Sequence, residues 1–226
     1  MKRLFLVGGI ILINFFILSC KKDNTDSTAC IDADGHNYNA LTIGSQVWMA
    51  ENLKTTKYRN GDLIETTIPS TLDISGQSTP KYQWAYDGEE ENVDTYGRLY
   101  TWYAATDSRG VCPAGWHVPS SAEWTTLTSF LGGESSAGGK LKEVDTLHWY
   151  SPNTGATNET GFTALPGGQR NSDKAFNSIG IFGCWWSSTA SGADYAWHTY
   201  IGYDSSDLII EDYGKRVGFS VRCLQD

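Results

Sequence analysis

Residues 111–131, VCPAGWHVPSSAEWTTLTSFL, decide the fold, because they join a cysteine, a turn and the start of a helix. Ser120 lies three residues before Glu123, the spacing of a capping box, in which two side chains bind backbone N–H groups at a helix start. An apolar stripe at helical spacing follows, made of Trp124, Leu127 and Leu131. Gly132 and Gly133 end the helix. A helix this short is marginal alone, so we expect a sheet to cover it.

Strand patterns flank this helix on both sides. Residues 38–43 and 46–49 surround Gly44 and Ser45, a two-residue hairpin signal. A second short helix is predicted over 135–144, and residues 96–105 are interpreted as a short helix or strand. The sequence of the last third of the chain predicts strands over 183–189, 195–203, 208–213 and 218–224. Alternation along the last one predicts that Phe219, Val221 and Cys223 share the core face.

The N-terminus has the pattern of a targeting segment. Lys2 and Arg3 precede an apolar run over 4–18, for which a single membrane span is the rival interpretation. Residues 17–20, ILSC, resemble the lipobox of bacterial lipoproteins. We therefore expect a signal peptide over 1–19, a lipid on Cys20, a flexible tether over 20–29 and one domain over 30–226.

We expect the protein to be located in the cell envelope, held in the outer membrane by its N-terminal lipid. The charged residues 21–23 are similar to the surface-export signals of Bacteroidetes lipoproteins, which indicates surface exposure. The net charge is −9, and without Lys2 and Arg3 the remaining 15 basic and 26 acidic residues give −11. Such a charge disfavours nucleic acid as a partner.

Four cysteines remain after the lipid-bearing one, and outside the cytoplasm they allow three disulfide pairings. No C-x-x-C spacing occurs, so we expect no zinc site. Asp32-x-Asp34-Gly35 suggests calcium, but the glycine falls too early for an EF-hand loop. A turn is the favoured interpretation there, and the sequence supports no cofactor.

No catalytic motif accompanies the four histidines, His36, His117, His148 and His198. His117 precedes the helix and is expected to be structural. Asp194 and Asp204 could serve a glycosidase, but nothing in the sequence sets their separation. We therefore expect no enzyme, no catalytic residues and no metal ligands.

Aromatic residues cluster in the late strands beside polar ones, which suits sugar rings or protein partners. Residues 195, 197, 199, 201 and 203 are assigned to the core, which leaves His198 and Tyr200 outward. Trp185 and Trp186 point to opposite faces, so one is expected in the core and one exposed. The candidate ligand-binding residues are Trp185, Trp186, Asp194, His198, Tyr200, Asp204, Asp207 and Tyr213.

Six motifs, read in order, carry a resemblance to a known family. They are WMAENL at 48–53, YGRLYTWYA at 96–104, CPAGWHVPSSAEW at 112–124, TGFTALPGG at 160–168, WWSST at 185–189 and GFSVRCL at 218–224. Together they resemble the Fibrobacter succinogenes major paralogous domain, from about residue 30 to the end. WHVPSSAEW and GFSVRC are also similar to motifs of the formylglycine-generating and sulfatase-modifying domains.

These resemblances imply a C-type-lectin-like α+β fold with a small antiparallel sheet, one or two short helices and long loops. They imply a disulfide between Cys112 and Cys223, and Cys30 and Cys184 would be the remaining pair, whose bonding stays open. The reactive cysteines and copper of the sulfatase-modifying domains do not carry over, because Cys112 and Cys223 lie in the structural motifs. The Glu-Pro-Asn and Gln-Pro-Asp motifs of calcium-dependent lectins are absent.

The expected function is therefore binding or adhesion by a lipid-anchored surface protein. A polysaccharide or a surface protein would be the partner. The alternatives are a structural envelope lipoprotein without a specific ligand and an uncharacterised enzyme.

Overall fold

The structure is a computed structural model that describes residues 30–226. Its strands are β1 (Ala40–Ile43), β2 (Gln46–Met49), β3 (Gln83–Trp84), β4 (Leu99–Thr101), β5 (Trp116–His117), β6 (Gly167–Arg170), β7 (Phe176–Ile179), β8 (Phe182–Ala190), β9 (Tyr195–Gly202), β10 (Leu208–Gly214), β11 (Gly218–Ser220) and β12 (Leu224–Gln225). Its α-helices are α1 (Glu91–Tyr96), α2 (Trp102–Ala105), α3 (Ser121–Phe130) and α4 (Glu134–Leu141), and a 3₁₀ turn covers Tyr86–Gly88. The α+β class is confirmed, and the lectin-like fold stays a prediction.

The predicted signal peptide, the lipid on Cys20 and the tether lie outside the described residues. Within residues 30–226, none of the helices combines the length and hydropathy needed to cross a bilayer. The segment expected to be one short element at 96–105 divides instead into the end of α1, strand β4 and the single turn α2.

Helix α3 begins where the sequence predicts. The Ser120 side chain accepts a hydrogen bond from the Glu123 N–H at 3.3 Å, and Glu123 Oε2 accepts one from the Ser120 N–H at 2.7 Å. The stripe of Trp124, Leu127 and Leu131 is buried as expected. The ring of Trp124 lies 4.7 Å from that of Trp48, so the helix packs on β2.

The smaller sheet brings both ends of the domain together in the order β1-β2-β12-β5. The predicted hairpin of β1 and β2 is confirmed, with Ile43 opposite Gln46. Leu224 of β12 pairs with Trp48 on one side and with His117 on the other. The segment before α3 therefore lies beside the C-terminal strand, as the resemblance implied.

The larger sheet has the strand order β10-β9-β8-β11-β4-β3, and the β6–β7 hairpin joins it through β11. The predicted strands over 183–189, 195–203 and 208–213 are confirmed as β8, β9 and β10. They form an antiparallel meander, and β8 meets β11 in parallel at Trp185 and Ser220.

The prediction of one continuous strand over 218–224 is wrong. The segment forms β11 in the larger sheet, leaves it after Ser220 and enters the smaller sheet as β12. Between the two strands, the Val221 carbonyl accepts a hydrogen bond from the Leu53 N–H at 2.8 Å, and the Cys223 carbonyl accepts one from Met49 at 3.0 Å. Phe219, Val221 and Cys223 nevertheless share one hydrophobic cluster, as predicted.

The disulfide between Cys112 and Cys223 is present, with the two Cα atoms 6.0 Å apart and 111 positions apart in sequence. A cross-link over a loop of roughly 100 residues contributes about 4.7 kcal/mol in the chain-entropy account, whose mechanism is disputed. Cys30 and Cys184 do not pair; both are buried free thiols. Their charged neighbours differ, Glu51 and Asp32 for Cys30 and Glu211 for Cys184, so they lie in different surroundings.

Strands β8 and β9 are covered on both faces, which corrects two predictions. Trp185 and Trp186 do point to opposite faces, but each belongs to a different hydrophobic cluster and both are buried. His198, expected to face outward, is only 3% exposed, whereas Tyr195, assigned to the core, is 54% exposed. The predicted alternation of side chains is correct. It did not predict burial, because other parts of the chain cover most of both faces of these central strands.

The side chain of Asn52 connects several of the sequence motifs. Its Oδ1 accepts hydrogen bonds from Trp185 Nε1 at 2.8 Å and from Arg222 Nε and Nη2 at 3.1 and 2.9 Å. Its Nδ2 donates to the Tyr96 carbonyl at 2.9 Å. Arg222 is almost fully buried, stacks 4.0 Å over the Phe162 ring and also donates to the Phe162 carbonyl. Five motifs therefore meet around one amide.

We expect Asn52→Ala to destabilise the protein by about 3 kcal/mol or more, because it leaves Nε and Nη2 of the buried Arg222 without their acceptor. Adding Arg222→Met should restore part of the lost stability, since the effects of substituting two residues that share a hydrogen bond do not simply add. Urea unfolding of the single and double variants measures both effects.

Asn39→Ala is the matched control. The Asn39 amide donates to the Glu51 carboxylate at 2.8 Å, but the contact is exposed and should contribute less than about 1 kcal/mol. Equal losses of stability in Asn52→Ala and Asn39→Ala would contradict the central role of Asn52.

Candidate ligand-binding cleft

An open cleft of about 280 Å³ lies on one face of β8, β9 and β10. Alternation places every second side chain of each strand on this face. The register sets Cys184 opposite Tyr200 and His198 opposite Glu211. We call it the β8–β10 cleft; it is lined by Phe182, Cys184, His198, Tyr200, Glu211 and Tyr213, and by Gln169 and Ser178 of the β6–β7 hairpin.

His198 forms part of the buried wall of the cleft. Its ring lies nearly parallel to those of Phe219 and Tyr200, with centroids 4.6 and 5.8 Å away. Neither ring nitrogen has a hydrogen-bond partner, although the residue is 97% buried. A buried polar group without a partner costs about 1–3 kcal/mol, which singles out this wall of the cleft, and both ring nitrogens are themselves shielded from solvent.

Glu211 and Tyr213 form the exposed side of the cleft. The Glu211 side chain is half exposed, and its Oε1 lies 3.5 Å from Nε2 of His198. Tyr213 is 39% exposed and meets the His198 ring edge-on at 5.6 Å. A carboxylate and a phenol are therefore open to solvent beside a buried imidazole.

Burial keeps the ionisable groups of the inner wall neutral at pH 7. It lowers the pKa of His198 to about 4, against the opposing charge of Asp212, so the approach to Glu211 is not an ion pair. Burial and then the Glu211 charge raise the pKa of the Cys184 thiol and that of the Tyr200 phenol.

Cys184, His198 and Glu211 are residue types that also occur in thiol enzymes. A nucleophilic cysteine requires a thiolate and a hydrogen-bonded base. Here the thiol is held protonated and the imidazole bonds to neither neighbour. The arrangement suits ligand binding better than nucleophilic chemistry.

Three of the eight candidate residues, His198, Tyr200 and Tyr213, line the cleft. Trp185 and Trp186 are buried in the two hydrophobic clusters. Asp194 pairs with Arg216 at 3.1 Å. Asp204 and Asp207 lie in the turn between β9 and β10 and do not line the cleft.

Sequence reasoning missed Glu211, Cys184 and Phe182, although the signal was present. In the predicted hairpin, strand alternation puts Glu211 and Tyr213 on one face, and it puts Phe182 and Cys184 together on the next strand. Gln169 and Ser178 reach the cleft from a separate hairpin, and no local pattern predicts that contact.

Within residues 30–226, no group of three or more His, Cys, Asp or Glu side chains is arranged to hold a metal ion. The turn favoured over calcium at Asp32–Gly35 is confirmed. Asp32 accepts hydrogen bonds from the His36 ring and the Tyr38 hydroxyl, and Asp34 accepts one from Lys57, so protein donors occupy both carboxylates.

Two of the larger hollows are lined by lysine and arginine side chains that already have partners. In one, of about 430 Å³, the lining residues Lys81 and Arg109 contact Asp107 at 2.7 and 2.9 Å, and the lining carboxylate is the exposed Glu65. In the other, of about 390 Å³, Arg59 donates to the carbonyls of Cys112 and Trp116. The β8–β10 cleft differs because a carboxylate and a buried imidazole occur there together with several aromatic rings.

The family comparison agrees with the motifs. A family model described as the Fibrobacter succinogenes major domain matches residues 41–225, which include every strand and helix of both sheets except the first residue of β1. No curated protein and no solved structure matches the chain.

We expect acid to destabilise the protein partly through His198. Its folded pKa of about 4 lies below the unfolded value near 6.5, so the unfolded chain takes up this proton first. The stability that comes from keeping this imidazole neutral is present above about pH 6.5 and is lost as the pH falls towards 4. The loss in the free energy of unfolding is at most roughly 3 kcal/mol. His198→Phe keeps a flat ring and should remove this part of the acid sensitivity. Urea unfolding of both proteins at a series of pH values measures the difference.

Tyr195→Phe is the control, because Tyr195 is an exposed aromatic residue on the same strand and its substitution leaves all four histidines in place. The other ionisable groups near His198, namely Glu211, Cys184, Tyr200 and Tyr213 on its own face and Asp212 on the opposite face, remain in both proteins, so the comparison isolates the imidazole. Identical pH profiles for the parent and His198→Phe would contradict the neutral, buried imidazole.

Proposed function

This chain belongs to the Fibrobacter succinogenes major domain family, and from that premise we propose that it is a lipid-anchored envelope protein that binds a glycan through the β8–β10 cleft. The proposal has two parts, an anchor at Cys20 and a binding site on the larger sheet. The site can be tested on the purified protein and the anchor in cells.

The N-terminal sequence supports the anchor. A charged start, an apolar run and the residues ILS precede Cys20, and nine residues separate Cys20 from Cys30, where the described domain begins. One acyl chain gives only reversible membrane binding, so the several chains of a lipoprotein cysteine would hold the protein durably. An outer-membrane location exposed at the surface fits this attachment.

We expect Cys20→Ala to abolish lipid attachment and release the protein from membranes. Labelling cells with an alkyne fatty acid, followed by detergent phase separation, measures both effects. Cys30→Ala is the matched control, because that cysteine is nearby in sequence but buried in the domain, and its variant should keep the label. A Cys20→Ala protein that still carries the label would exclude this anchor.

One observation carries the binding part: the imidazole of His198 has no partner and lines an open aromatic cleft. The rings of Tyr200, Phe182 and Tyr213 supply apolar area with polar groups beside it, which suits the face and hydroxyls of a sugar ring. Gln169 and Ser178 add neutral hydrogen-bonding groups at the edge.

The size of the cleft favours a glycan over a protein partner. Its 280 Å³ is close to the lower limit of small-molecule pockets, about 300 Å³. Such a space accepts one ring of a polysaccharide. A stable protein interface instead buries about 800 Å² on each partner, far more than this cleft offers.

We expect the purified protein to bind a subset of an array of cell-envelope glycans. Tyr213→Ala and Tyr200→Ala should each weaken that binding by about tenfold, since loss of one aromatic contact at a binding site costs roughly 1–2 kcal/mol. Tyr195→Ala is the matched control, because Tyr195 is an exposed tyrosine on the same strand that does not line the cleft. Thermal unfolding checks that the variants fold.

A protein that binds no glycan, or one whose binding survives both cleft variants, would exclude this site. The first result would favour a structural envelope lipoprotein. Capture of a defined envelope protein through Tyr213 would favour a protein partner, and turnover of a bound glycan would favour an enzyme.

A further inference from the structure

The charge of the β8–β10 cleft limits what it can bind. Of its eight lining residues, Glu211 alone carries a charge at pH 7, because His198 and Cys184 are held neutral and no lysine or arginine lines the cleft. The chain as a whole carries −9. The Glu211 carboxylate and the negative charge of the whole chain both repel an anionic ligand. The same two charges attract a cation.

The aromatic walls are suited to an organic cation. Phe182 stands almost perpendicular to Tyr200, with centroids 5.6 Å apart and planes at 86°. Tyr213 stands in the same way to His198, at 5.6 Å and 79°. Rings in two perpendicular orientations line the same cleft, and a cation within about 6 Å of a ring face gains roughly 0.5–2 kcal/mol.

A metal ion fits this cleft poorly, because it needs several ligands in a fixed geometry. The residues from 30 to 226 offer no such set of three side chains. An ammonium group needs only acceptors for its N–H bonds. Glu211 supplies a carboxylate for one, and the hydroxyl of Tyr213, which also lines the cleft, can accept another.

We propose that the β8–β10 cleft recognises an organic ammonium group, with Glu211 as its counter-ion and the rings of Phe182, Tyr200 and Tyr213 around it. The inference rests on the proposed function and names its ligand chemistry. For a glycan, the group is the free amine of an amino sugar, and N-acetylation of that amine removes the charge that the site recognises. A choline substituent carries the same charge without the sugar.

The test titrates the purified protein with four probes: glucosamine, N-acetylglucosamine, glucose and choline. Work at about pH 6.5 keeps an amine protonated and His198 neutral. Calorimetry and NMR shifts of the cleft residues follow binding. We expect glucosamine to bind at least about tenfold more tightly than N-acetylglucosamine and glucose, and choline to shift the same residues.

Glu211→Gln keeps the shape of the side chain and removes its charge, so it should abolish the preference for glucosamine over N-acetylglucosamine. Asp212→Asn is the matched control: Asp212 is the next residue on β10, faces the other side of the strand and does not line the cleft. That variant should keep the preference.

The outcomes separate this inference from the proposed function. If N-acetylglucosamine and glucose bind as tightly as glucosamine, and Glu211→Gln changes nothing, the ammonium inference is wrong while the glycan site stands. If choline binds and no sugar does, ammonium recognition stands and the glycan proposal fails. If no probe and no array glycan perturbs the cleft, both are wrong.

Discussion

The hydrogen bonds of the Asn52 side chain are the constraint on which the rest of the fold depends. Arg222 is buried between the two sheets, and the amide of Asn52 and the carbonyl of Phe162 accept its N–H groups. Its guanidinium stacks over Phe162, so the charge is met by a ring face and dipoles. The same amide binds Trp185 and the end of α1, which explains why sequence motifs so far apart along the chain occur in one fold.

The C-terminal segment links the Asn52 network to both sheets. Because β11 and β12 belong to different sheets, residues 218–225 join the two layers and carry Arg222 between them. The bond from Cys223 to Cys112 then fixes the start of α3 to the same segment. The larger sheet thus acquires one hydrophobic cluster on each face, and the β8–β10 cleft lies where the covering of one face ends.

Elements governed by local rules could be predicted from the sequence. The capping box at Ser120 and the β1–β2 hairpin depend on neighbouring residues and were correct. The division of the C-terminal strand could not be predicted, since β11 and β12 choose partners distant in sequence. His198 was placed outward because alternation shows which residues share a face but not whether another layer covers that face. Glu211 was missed because its importance comes from His198 across the strand pair.

The two buried free thiols have a consequence for how such a chain would mature in an oxidising compartment. If the chain crosses a membrane N-terminus first, Cys30 meets Cys112 long before Cys223 arrives, so the first bond available is a non-native one. The native bond needs Cys223, which follows Cys112 by 111 positions, so wherever Cys30 has already bonded to Cys112 the native bond forms by thiol–disulfide exchange. Folding then buries Cys30 and Cys184, which protects both thiols from oxidants and keeps the exchange from reversing.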